Sequence, residues 1–203
     1  VSTIKESAFA GCSNMIFLTS LSQEPPYLER SAFDQCDNLK YVFVPEGKKD
    51  NYENKWRKFK FIENPDTVIG GVCYKITDDK MLRMAVYDNV GETQVRIEPY
   101  VVYKGKKYTV DEIKADAFAN CSDLISMEIP NSVKEIGTNA FYKCFNLTTV
   151  VMSDSLKSLN DYVFYGDTSL VSISLPDKLV SIGYFSFGLC EKLKSIVIPP
   201  SVD

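Results

Sequence analysis

The 203-residue sequence contains no histidine. That removes the commonest general base, the usual metal ligand and every Ser–His or Cys–His dyad, so hydrolytic catalysis is not expected. The six cysteines include no C-x-x-C pair, so the usual thiolate zinc signature is missing as well. Neither a cofactor nor a metal is expected. No apolar run approaches the roughly 18 residues that a membrane-spanning helix needs. Lysine plus arginine number 23 against 27 aspartate plus glutamate, giving a net charge of −4, which is the wrong sign for nucleic acid as a main partner. What remains is 45% apolar and 25% charged, an ordinary globular balance. The chain opens at Val1 without methionine or a basic-then-apolar leader, and both ends fall inside repeats. A piece of a longer protein is the expectation.

Self-similarity organises the sequence. Four segments recur at a spacing of about 23 residues, starting at Ile113, Ile136, Leu159 and Ile182. Each places an aromatic five positions on (Phe118, Phe141, Phe164, Phe187), and then Cys121, Cys144, Asp167 or Cys190. Leu124, Leu147, Leu170 and Leu193 follow, and each opens an L-x-x-Φ-x-Φ stretch such as Leu124-Met127-Ile129. The same frame, one residue longer, links Ile4, Phe9, Cys12, Met15 and Leu18 to Leu28, Phe33, Cys36, Leu39 and Val42. Its first coil is irregular, with Ser20 at an apolar position and Pro25-Pro26 before the next turn.

A unit this small cannot bury its own apolar stripe, so units must stack and share a core. The L-x-x-Φ-x-Φ stretch alternates with the period of a strand and predicts a parallel sheet of stacked coils. Segments such as Ala117-Phe118-Ala119-Asn120-Cys121 are too short for a helix and predict a helical or 3₁₀ turn that plugs the opposite side.

These units resemble leucine-rich repeats of the BspA type, found in bacterial surface proteins and some parasitic protists. The resemblance is carried by IKADAFANCSDLISMEIPNSVKE, IGTNAFYKCFNLTTVVMSDSLKS and IGYFSFGLCEKLKSIVIPPSVD. PPYLERSAFDQCDNLKYVFVPEGKKDNYENKWRKFKFIEN is similar to the unit that closes such arrays. The resemblance implies a leucine-rich-repeat solenoid and a secreted or cell-surface location. It also implies adhesion to an extracellular protein or glycan.

Three parts follow. Residues 1–64 are expected to end a first array, with Tyr52, Trp56, Phe59, Phe61 and Ile62 as its cap. Residues 65–112 switch to period two, with turns at Asp78-Asp79, Asn89-Val90-Gly91 and Lys104-Gly105, and predict an antiparallel lead-in. Residues 113–203 form the second array of four coils.

Five of the six cysteines share one repeat position, which favours reduced, buried thiols over a disulfide ladder. The outward row of the second array reads Ser126, Glu128, Thr149, Val151, Ser172, Ser174, Ser195 and Val197, with no titratable pair and no aromatic anchor. In the first array it reads Phe17, Thr19, Tyr41, Phe43. Two readings of that aromatic group stand side by side: an exposed anchor for a ligand, or core under the cap around Trp56. Tyr142, Tyr162, Tyr165 and Tyr184 lie near the opposite turns. The cluster Lys48, Lys49, Lys55, Arg57, Lys58 and Lys60 reads as a solvated face, broken by Asp50 and Glu53. Candidate binding residues are therefore Phe17, Tyr41, Phe43, Ser126, Glu128, Thr149, Ser172 and Ser174. The expected function is non-catalytic recognition, and the alternative is a spacer that holds another domain at a cell surface.

Overall fold

The short repeat stretches can pair only with their counterparts one coil away, and the computed structural model shows that pairing. It describes residues 1–89 and 91–203, without the side chain of Asn89, so the expected turn at Asn89-Val90-Gly91 lies outside the described residues. The chain divides into two units, Val1–Pro65 and Asp66–Asp203.

In the second unit, strands Ser126–Glu128 and Thr149–Val151 run parallel, with Met127 beside Val150. A parallel bridge from Ser172 to Ser195 carries the same register onward. A second parallel ladder pairs Ile113 with Ile136 and Leu159 with Ile182. Between the ladders, the repeat phenylalanines stack face to face. Phe118–Phe141, Phe141–Phe164 and Phe164–Phe187 have centroids 5.2, 5.2 and 5.5 Å apart and planes within 12°.

The A-F-x-x-C segments form no regular helix; of the expected helical or 3₁₀ turn, only the i→i+3 bonding is present. Among the described residues the single helix is Lys49–Lys55. Each segment is instead a run of i→i+3 turns, as in Ala119 N–H to Asp116 O and Cys121 N–H to Phe118 O. Two left-handed residues per coil punctuate the run: Asp116 and Asn120, Asn139 and Lys143, Tyr162 and Gly166, Phe185 and Leu189. Those reversals turn alternate N–H groups toward the next coil. Phe118 and Asn120 donate to Ala140 and Tyr142 O (2.8 and 2.7 Å), and Phe141 and Lys143 donate to Val163 and Tyr165 O (2.9 and 2.8 Å). A regular helix would spend these donors internally. Close stacking also explains Gly137: a Cβ there would lie 2.3 Å from the Ala115 nitrogen.

All six cysteines are thiols, five of them within this ladder and Cys73 on the lead-in strand Val72–Asp78. Cys36, Cys144 and Cys190 each donate S–H to the phenylalanine carbonyl of the preceding coil, Phe9, Phe118 and Phe164 (3.0, 3.1 and 3.1 Å). Burial pushes the Cys190 thiol up to about 12, which keeps its proton in place.

The lead-in is a mixed sheet, which corrects the expected antiparallel one. Its order is Tyr100–Tyr103, Lys106–Ile113, Arg83–Asn89, Val72–Asp78, Thr67–Ile69. The outer pairs are antiparallel, but Lys106–Ile113 runs parallel to Arg83–Asn89 and on to Glu135–Ile136. Strand Gln94–Arg96 leaves this sheet and pairs parallel with Ser126–Glu128. Its buried Val95 and Ile97 have the same alternation as Met127 and Ile129. It therefore serves as a leading strand on the ladder and occupies what would be an open edge. Lead-in and coils share one core, from Val72 and Met84 through Phe118 and Phe141 to Leu179.

In the first unit, strands Phe17–Thr19, Tyr41–Val44 and Lys60–Glu63 form a parallel sheet. Phe9 and Phe33 repeat the stack at 5.1 Å. The helix brings Tyr52 and Trp56 against Val42, Val44 and Phe61. The irregular first coil now has a reason. The Ser20 hydroxyl meets the Tyr52 hydroxyl at 2.6 Å, and the Pro26 carbonyl accepts the Trp56 indole N–H at 2.8 Å. Polar residues stand in the apolar frame because the cap brings its own polar tips inside.

Two outcomes follow. Phe141→Ala should cost about 3–5 kcal/mol of unfolding free energy by chemical denaturation, because the ring is fully buried between two others. Thiol titration should count six cysteines after denaturation, and reductant should leave the Tm unchanged.

Candidate functional site

Three surfaces carry the sequence-derived candidates, and the structure treats each differently. In the second array the outward row stays outward. Glu128, Thr149, Ser172 and Ser174 are exposed and Ser126 half-buried, while Met127, Val150 and Ile173 point into the core. The leading strand adds Gln94 and Arg96 to this row, which the sequence reading missed because it assigned that strand to the antiparallel lead-in. Gln94, Arg96, Ser126, Glu128, Thr149 and Val151 line a depression of about 340 Å³. Arg96 Nε lies 3.6 Å from Glu128 Oε1, with both side chains largely in water. Such a pair holds little energy of its own, so its charges are available to a ligand.

The first-array aromatic group is not an exposed patch, which corrects the expectation for Tyr41 and Phe43. Phe17, on the edge strand, is 50% exposed, but Tyr41 and Phe43 are only 9% and 4% exposed. The difference follows from position in the sheet. The middle strand has same-face neighbours on both sides: Phe43 meets Phe17 at 5.3 Å and pairs in register with Ile62, and the Lys60 ammonium sits 5.8 Å from the Tyr41 ring. The basic cluster is partly neutralised nearby, with Lys48 at 3.9 Å from Glu24 and Lys49 at 3.9 Å from Glu53.

The third surface lies on the turn side of the second array, where the tyrosines gather into one cluster. Tyr142 stacks on Tyr165 at 5.3 Å, and Tyr162 stacks on Phe185 at 5.7 Å. Tyr184 packs edge-on against both Tyr162 and Phe185, at 5.8 and 4.4 Å. Tyr184 and Phe185 are 64% and 50% exposed, and Leu189 beside them in sequence is exposed too. Partial burial, then the neighbouring Tyr184 and the Asp161 carboxylate, push the Tyr162 phenol up, so it stays a hydrogen-bond donor at neutral pH.

The backbone under this cluster is unusual. Tyr162 and Phe185 occupy the first left-handed position of their coils, at φ 57° and 51°. The same position holds Ser7, Ser31, Asp116 and Asn139 in the other coils. Asn and Asp accept that conformation readily, whereas a large side chain loses roughly 1–2 kcal/mol by it. The sequence reading included Tyr162 but missed Phe185. The signal was present: two aromatics 23 residues apart at a turn position that is short and polar elsewhere.

No curated protein matches the chain. Among solved structures, a leucine-rich repeat protein from Bacteroides ovatus is 35% identical over 68% of this chain and 36% of its own, with a TM-score of 0.62. A leucine-rich cell surface protein from Faecalibacterium prausnitzii is 21% identical over 97% of this chain and 57% of its own, also at 0.62. The pneumococcal vaccine antigen PcpA is 23% identical over 92% of this chain and 40% of its own, at 0.57. The last two show the fold alone. The chain spans between about a third and just over half the length of these proteins. Residues 1–69 and 106–203 match the BspA type leucine-rich repeat region in 6 copies, the same stretches in which the stacked phenylalanines, thiols and leucines recur, and the chain belongs to that family.

Proposed function

We propose that this chain is a non-catalytic recognition module that binds an extracellular protein or glycan through the surface of its repeats. Its stacked coils are read as segments of a solenoid, a scaffold that aligns equivalent side chains into extended contact surfaces. One observation carries the reading. Two coils place aromatics, half-buried Tyr162 and exposed Phe185, in a left-handed backbone position that the others fill with Ser, Asp or Asn. A spacer gains nothing from that substitution, whereas exposed tyrosine and phenylalanine with a polar rim are the usual anchors of a binding surface. The outward row from Gln94 to Ser174 supplies a second, milder contact face. A location outside the cell is supported by the family and by fold relatives described as a cell surface protein and a vaccine antigen.

The backbone argument separates binding from stability. Phe185→Asn installs the residue found at the equivalent Asn139, so the Tm should hold or rise. On a protein and glycan array, and then by calorimetry with the captured ligand, the same variant should lose about 2 kcal/mol or more of binding. Thr149→Ala and Ser172→Ala should each change affinity by less than about 1 kcal/mol, as contacts away from an anchor do. A Phe185→Asn variant that binds normally would move the anchor elsewhere. Failure of the wild-type chain to bind anything on the array would leave the spacer role in its place.

A further inference from the structure

One coil breaks the thiol pattern. Where coils before and after carry Cys144 and Cys190, the third carries Asp167, fully buried. Its Oδ1 accepts the Cys144 backbone N–H at 2.8 Å. Its Oδ2 is buried with no donor in reach. In the Cys190 coil a single sulfur makes both a donor and an acceptor contact. Cys144 and Cys190 give their S–H to the Phe118 and Phe164 carbonyls at 3.1 Å, and the Cys190 sulfur also faces the Asp167 N–H. In the third coil the equivalent carbonyl is that of Phe141. A carboxylate would leave Oδ2 charged and unpaired in a dry core, which is costly. A carboxylic acid has what the position asks for: one oxygen to accept and one O–H to donate.

We propose that Asp167 folds as the neutral acid and uses its proton as the repeat cysteines use theirs, donating from Oδ2 to the Phe141 carbonyl, so that the second array is a pH-sensitive structure that loosens as its surroundings turn from acidic to alkaline. The ionisable groups near it are few. Cys144 and Cys190 face it from the two adjacent coils. Lys143, next to Cys144, holds its ammonium 4.9 Å over the Tyr142 ring. Burial is the leading cause that lifts the Asp167 carboxyl to about 8, the Cys144 N–H opposes it, and no ionic neighbour contributes. The folded value stands above the unfolded value of about 4. The stabilisation is therefore complete below about pH 4 and declines as pH rises through 8.

The test uses the whole chain. Asp167→Asn keeps an oxygen for Cys144 N–H and offers an amide N–H to Phe141 without a titrating proton, and Asp167→Cys restores the repeat. Thermal melts between pH 5 and 8.5 should show the wild-type Tm falling by at least about 5 °C more than that of either variant, with both variants melting above wild type at pH 8.5. Parallel profiles for wild type and variants would overturn the proposal. Carboxyl carbon NMR of the wild-type chain decides it without any variant. A side-chain resonance that is lost in the Asn or Cys protein should titrate near 8 rather than near 4, and an Asp167 signal that titrates near 4 in the folded chain would sink the idea.

Discussion

A coil of this protein cannot satisfy its own backbone, and everything else in the repeats follows from that. Its turns use every second N–H internally and send the others to the carbonyls of the next coil, as Phe118, Asn120, Phe141 and Lys143 do. Each buried donor left without that neighbour would cost on the order of 1–3 kcal/mol. The phenylalanine stack and the two parallel ladders share this register, and the thiol-to-carbonyl bonds tie the same coils from the opposite side, each donated back to the preceding coil. They reinforce a spacing that the backbone already imposes.

The same constraint explains which features were legible in the sequence. The strand register, the phenylalanine stack and the shared place of the cysteines could be read because they repeat, and repetition is visible without coordinates. The turn geometry was harder. A-F-x-x-C looks like a clipped helix until the left-handed residues at its borders, Asp116 and Asn120 or Asn139 and Lys143, redirect the N–H groups. Strand Gln94–Arg96 was misassigned because three residues in alternation carry no sign of which sheet will receive them. Tyr41 and Phe43 face outward in sequence logic, yet burial depends on what stands to either side, and a period-two pattern does not encode that. Ser20 and Pro26 looked like defects because their partners, Tyr52 and Trp56, lie 30 or more residues away.

Departures from the repeat proved more informative than the repeat. Tyr162 and Phe185 give up backbone comfort for a stacked ring pair at the surface, half-buried Tyr162 under exposed Phe185. Asp167 gives up a thiol for a carboxyl in the same enclosed place. Both lie in the last two coils, on the turn side, where the ladder is made of hydrogen bonds rather than strands. The outward row of the sheet, by contrast, follows the pattern and carries mild side chains on a rigid base.

The register also limits how such a chain can change over generations. Backbone bonds, rings and thiols tie adjacent coils at several points, and the first array is tied at a step one residue longer than the second. A duplication or deletion of a whole coil moves all these ties together and leaves each with a counterpart. A shift of one or two residues within a coil leaves the rings facing carbonyls and the thiols facing side chains. Exchange of single coils between the two arrays meets the same obstacle. Gain or loss of a whole coil within one array is therefore the change in length that keeps every tie in place.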